Sequence, residues 1–262
     1  MKYFDSHSHY QDKRFAEEYP GGATALLDKL FDSSLSGAVN VATDPKSCLL
    51  VIEQAKRYEG LHTALGIHPT DASYLSQKPE DALDFVKRLI LDKENKCVAI
   101  GEIGLDYHYP DTDVRLQHEY FDMQMQLARE LSFPVVIHDR DAHSDVLQML
   151  KKYPEVRCVL HSFSGSAEMA KELVKLGHMI SFSGVLTFTN AKKSRETAKI
   201  IPPEFIMIET DCPYLAPHPH RGVLNHSAYL EYTNRTLSEI LNISEEQCAK
   251  LTENNARRFF GI

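Results

Sequence analysis

Residues 4–11 read FDSHSHYQ, an apolar opening that runs straight into two histidines, His7 and His9, one residue apart. In an extended strand residues two apart share a face, so both imidazoles point the same way. The alternative opening for an α/β chain, a first strand followed by a glycine-rich phosphate loop, is absent. The first strand ends in His-Ser-His instead, and the rest of the sequence decides what that means.

Further along, short apolar runs alternate with amphipathic stretches. The runs are KYFDSHSH, GAVNVAT, LHTALGIH, CVAIGEIG, PVVIHDR, RCVLHSFSG, HMISFSGV and FIMIETD. Helical segments are expected at 23–35, 46–57, 79–93, 112–131, 141–152, 166–176 and 191–199. Over 112–131, for example, Leu116, Tyr120, Met123, Leu127 and Leu131 recur every three or four residues, the period of one buried helix face. Eight strand–helix units predict parallel pairing through right-handed crossovers. Within 262 residues they predict a single-domain α/β chain, a (β/α)8 TIM barrel spanning 1–262.

Such barrels place their chemistry where strands emerge at the carboxyl end. Five runs end there in imidazole or carboxylate. His7 and His9 follow the first, Glu102 sits in AIGEIGLD, and His138 ends VVIHDR. His161 follows RCVL, while Glu209 and Asp211 lie in MIETDCPY. His68 stands just past ALGI. One such residue would be a turn former or a helix cap; five ends of the same chemistry predict a metal site. Imidazole with carboxylate suits zinc, manganese, nickel or iron, and carboxylates admit magnesium. Six ligands exceed what one open tetrahedral ion takes, so two divalent ions sharing Glu102 are expected. His7, His9 and Asp211 would serve one, and His138 with His161 the other. Water between two cations loses its proton near neutral pH and supplies hydroxide as a nucleophile.

The remaining histidines act as controls among the thirteen. His218 and His220 repeat the H-x-H spacing, but Pro217 and Pro219 put them in an irregular loop. His62 and His178 begin their runs and belong at the opposite end of the barrel. His118 and His143 fall in helices. Five cysteines without a C-x-x-C pair suit reduced thiols. A formal net charge of −8 argues against a broad basic face on duplex nucleic acid. With neither a targeting peptide nor an apolar run long enough to span a bilayer, a cytoplasmic protein without membrane contact or an obligate protein partner is expected.

The motifs FDSHSH, GIHP, GEIGLDY, IHDRDA, HSFSGS and ETDCPYLAP, in this order, resemble those of the TatD family of metal-dependent deoxyribonucleases, among the amidohydrolase-like barrels. The resemblance covers essentially the whole chain. It implies His7, His9, Glu102, His138, His161 and Asp211 as metal ligands. Asp211, Glu102 and His68 would be the catalytic groups, with Asp211 handling the proton of the attacking water and His68 meeting the phosphate. Glu209 would stand behind a ligand. It also implies DNA, single-stranded or at duplex ends, as substrate, attacked from the 3′ side. The family's arginine-glycine-lysine and asparagine-proline pairs are only partly kept: Arg221, Gly222 and Asn225 match, while Val223 and His226 replace lysine and proline. Arg140 and Arg221 are the candidate phosphate contacts, and Tyr107, Tyr109, Phe163 and Tyr214 could stack a terminal base. The same two-ion site could instead attack a carbonyl, in an amidohydrolase or esterase acting on an acylated small molecule or an aminoacyl-nucleic acid.

Overall fold

A computed structural model describes all residues, Met1–Ile262. Each expected run forms a strand: β1 (Tyr3–Ser8), β2 (Leu35–Val41), β3 (Leu61–Leu65), β4 (Cys97–Asp106), β5 (Val135–Arg140), β6 (Cys158–Leu160), β7 (Met179–Phe182) and β8 (Ile206–Ile208). All neighbours pair parallel in the order β1 to β8. β8 is too short to zip fully against β1, so closure falls to the residues after it. Ser8 bridges Cys212, the Asp211 N–H donates to the His7 carbonyl at 3.0 Å, and the His9 N–H donates to that of Cys212 at 2.8 Å. The seam of the barrel thus lies between His7–His9 and Asp211.

Helices fill the crossovers near the expected spans, for instance Val114–Leu131 after β4 and Lys192–Ile200 after β7. Two helices beyond β8, Leu230–Leu241 and Glu245–Phe260, complete the ring. The last one starts in a capping box between Ser244 and Gln247 and delivers Phe259 and Phe260 into the apolar interior of the barrel. There they meet Phe4, Val39, Val98, Met179 and Met207, which closes the end opposite the strand carboxyl termini. His62 opens β3 and His178 precedes β7, both at that closed end. A larger apolar layer, including Leu65, Ile103, Phe121 and Leu173, cements strands to helices. The five cysteines are unpaired, and burial pushes their thiols up, Cys97 and Cys248 to about 12. No helix is long and apolar enough to cross a membrane.

One backbone contact shapes the site. β4 and β5 slip register between Ile100 and Ile103, after which Gly104 lies opposite His138. Gly104 has φ 144°, and a Cβ there would sit 2.0 Å from the His138 carbonyl oxygen. Only glycine lets the two strands approach this closely.

Candidate metal centre

At the carboxyl end of the strands a cleft of about 860 Å³ has His9, His68, Glu102, His138, His161 and Asp211 in its wall. Glu102 is the hub, 2% exposed. Its two oxygens face different neighbours. Oε2 lies 3.3 Å from His7 Nε2 and 3.5 Å from His9 Nε2. Oε1 lies 2.8 Å from His138 Nδ1, 2.8 Å from His161 Nε2 and 3.5 Å from His68 Nε2. Asp211 closes the first group, its Oδ1 3.4 Å from His9 Nε2 and 3.7 Å from His7 Nε2. It sits at φ 56°, a left-handed conformation that aspartate tolerates better than most residues.

These spacings can be tested against an ion. Ligand atoms about 2.0–2.2 Å from a common centre stand about 3.0 Å apart at right angles and about 3.4 Å apart in a tetrahedron. The first group spans 2.9 Å (His7 Nε2 to His9 Nε2) to 3.7 Å, and the second spans 2.8 to 3.2 Å between Glu102, His138 and His161. Both sets fit a divalent cation. His7 and the two carboxylates are also prepared for one. Burial, reinforced by the charge of His161, pushes His7 towards its neutral, lone-pair-bearing form. Burial opposes ionisation of Glu102, but the charge of His161 and the hydrogen bond to His138 outweigh it and hold its pKa well below the usual carboxylate range. For Asp211 the hydrogen bond from His9 and the neighbouring imidazoles likewise overcome burial.

All the imidazoles but His7, whose Nδ1 has no partner, are oriented from behind. His9 Nδ1 is 2.8 Å from the Val41 carbonyl, and His161 Nδ1 is 3.1 Å from Glu209, which also accepts the Ser162 N–H at 2.8 Å. Glu209 therefore sits behind His161. His68 Nδ1 accepts the Thr70 N–H at 3.2 Å, which leaves its Nε2 proton facing the cleft. Two acidic groups escape the sequence reading. Asp106 lies 3.0 Å from His138 Nε2. It follows Glu102 by four residues on the same strand, so the two-residue period pointed at it. Asp5, fully buried, accepts hydrogen bonds from Thr210 Oγ1 and Ser227 Oγ, both at 2.6 Å, from Thr210 N at 3.0 Å and from His7 N at 3.3 Å. Burial pushes its pKa up to about 6 in spite of these donors. It pins β1 to the segment carrying Asp211.

Not every expected residue reaches the cleft. Arg140 does, stacked on Tyr109 with 5.4 Å between guanidinium and ring centre, and Phe163 and Tyr214 also line it. Arg221 does not, because its guanidinium lies flat over Phe188, 4.2 Å from the ring centre. Tyr107 turns away to bond His118 at 2.7 Å and Asp145 at 2.6 Å. His118 is held half-buried there, and His143 Nδ1 pairs with Asp139 at 2.8 Å. His220 stacks on Tyr229 and bonds Tyr232, also away from the cleft.

A closed parallel barrel with clustered imidazoles and carboxylates at its strand ends defines a hydrolase of the metal-dependent class. A family model described as TatD related DNase matches residues 4–261. The chain belongs to this family and is a metal-dependent hydrolase. The uncharacterized metal-dependent hydrolase YabD of Bacillus subtilis is 37% identical over 261 residues, 99% of each chain. The uncharacterized metal-dependent hydrolase YcfH of Escherichia coli is 37% identical over 249 residues, 90% of each chain. The crystal structure of YJJV, a TatD homolog from Escherichia coli, superposes with a TM-score of 0.89 at 27% identity, covering 99% of this chain and 98% of that one.

Proposed function

We propose that this hydrolase is a deoxyribonuclease that cleaves phosphodiester bonds at DNA ends, working from the 3′ side. The observation that supports it most is Glu102, whose two oxygens face two separate donor groups on the floor of one cleft. In this reading His7, His9 and Asp211 hold one divalent ion, His138 and His161 hold a second, and Glu102 belongs to both. When bound, such ions lower the pKa of water and neutralise charge on an attacked phosphoryl group. The protein's own groups do the rest. Asp211, kept ionised, takes the proton of the attacking water. His68 donates from Nε2 to a phosphoryl oxygen, and Arg140 pairs with a flanking phosphate. Tyr109 and Tyr214, 46% and 47% exposed at the mouth, offer faces for unpaired bases.

The test is digestion of end-labelled oligonucleotides by metal-stripped protein with Mg²⁺, Mn²⁺ or Zn²⁺ added back. Stepwise shortening from the 3′ end is expected, lost in His138→Ala with the circular dichroism spectrum unchanged. Equal cleavage by that variant overturns the reading.

One observation favours a second substrate class. Beyond the donor groups the cleft wall carries Asp12, Asp44, Asp71, Asp106 and Asp139, against only Lys46 and Arg140 as cations. That balance suits an acylated, uncharged substrate better than a polyanion. Esters and amides, including an aminoacyl-nucleic acid, belong beside the oligonucleotides in the same assay.

A further inference from the structure

We propose that Asp106 is a positioning residue for the second ion: it fixes the tautomer of His138 and so decides whether that imidazole can bind metal. The inference rests on the two-ion reading above. A neutral imidazole has one N–H and one lone pair, and only the lone pair can meet a cation. Two carboxylates compete for the single proton of His138. Glu102 Oε1 lies 2.8 Å from Nδ1, and Asp106 Oδ2 lies 3.0 Å from Nε2. If Glu102 wins, Nδ1 is protonated and turned against the ion. If Asp106 wins, the Nδ1 lone pair faces Glu102 Oε1 and His161 Nε2, which is 3.2 Å away. Without Asp106, Glu102 is the only carboxylate left to take the proton.

The structure holds Asp106 firmly for this task. Its side chain is 2% exposed, and its other oxygen accepts the His108 N–H at 2.9 Å. Its backbone is gripped from the helix Val114–Leu131 by the fully buried Gln117. The Asp106 N–H donates to Gln117 Oε1 at 2.8 Å, and Gln117 Nε2 donates back to the Asp106 carbonyl at 2.8 Å. The buried glutamine thus fixes the backbone of Asp106 through both of its polar groups, while the His108 N–H holds the carboxylate. Asp106 thereby does for His138 what Glu209 does for His161.

The experiment needs no turnover. Metal-stripped wild type and Asp106→Asn are titrated with Mn²⁺ and Zn²⁺ by calorimetry, bound metal is counted by mass spectrometry, and ¹⁵N-histidine NMR of the metal-free proteins, at a pH high enough that His138 keeps one proton, reads its tautomer. Wild type should bind two ions and carry its proton on Nε2. Asp106→Asn should keep one affinity, weaken the other 10–100-fold and shift the proton towards Nδ1. Asp106→Glu, which restores the carboxylate, should recover part of the loss. Asn255→Ala serves as the control for lost stability, since Asn255 ties the carbonyls of Pro203 and Ile206 at the opposite end of the barrel. It should melt earlier with both affinities unchanged. Unchanged affinities and tautomer in Asp106→Asn overturn the proposal, as does an equal fall in both affinities. A wild type that binds one ion overturns the two-ion reading, and the His138 tautomer then still reports on Asp106.

Discussion

Truncating Asp5 is the sharpest test of how the seam holds the site together. Its carboxylate takes four hydrogen bonds in a fully buried position, two of them from hydroxyls at 2.6 Å and one from the backbone of Thr210, the residue before Asp211. Asp5→Ala leaves the Thr210 N–H without a partner and frees two hydroxyls beside a new void. At about 1–3 kcal/mol for each orphaned buried donor, less what is regained by no longer burying a charge, the loss should be about 3–5 kcal/mol. For a chain of this size that lowers Tm by roughly 10 °C. Asp5→Asn keeps the shape and one acceptor, and the hydroxyls of Thr210 and Ser227 can turn to accept from its amide, so about 1 kcal/mol is expected. The chain has no tryptophan, so thermal and urea unfolding are followed by far-ultraviolet circular dichroism in the presence of a chelator. A metal titration should also show the His7–His9–Asp211 side weakened more than the other in the alanine variant. Melting of Asp5→Ala within about 2 °C of wild type, or equal harm from alanine and asparagine, would refute this account.

Two further outcomes follow from the geometry. Burial pushes His178 down to about 4, with its Nδ1 accepting the Cys158 N–H and its Nε2 unpartnered. Unfolded histidine titrates near 6.5, so as pH falls through the window from 6.5 to 4 the unfolded chain gains a proton that the folded chain refuses. Stability should drop by about 2 kcal/mol from this residue between pH 7 and pH 5, and the acid-induced loss read from urea midpoints should be smaller by that amount in His178→Gln, the shares of His62 and His226 remaining. At the cleft, Arg140→Ala should lower kcat/KM on oligonucleotides roughly 10–100-fold, the size of one charge-assisted hydrogen bond. It should leave any activity on uncharged esters intact. Equal losses on both substrates would place Arg140 in the scaffold instead of at a phosphate.

Both the fold and the donor residues could be read because they depend on local periodicities. Apolar runs of period two, helical stripes of period 3.6 and polar groups at strand ends are properties of neighbouring residues, and all eight runs form strands. Asp106 was within reach of the same rule, being in phase with Glu102. Arg221 was not, since its stacking on Phe188 joins residues 33 positions apart through a loop whose path no periodicity reports. The two C-terminal helices lie outside the expected segments, and their role was not legible either, because filling the closed end of the barrel with Phe259 and Phe260 is a matter of where the ring has space.

The chain of amino acids by itself determined eight parallel strand–helix units and the kinds of donor at their ends, since both follow from the alternation of side chains along a strand. Only the tertiary structure decided that Glu102 turns one oxygen to each donor group, that Asp5 bonds Thr210 and Ser227 across 205 and 222 residues, and that Gln117 grips Asp106. Those arrangements depend on directions and distances between segments remote in sequence. They exist only once the barrel has closed.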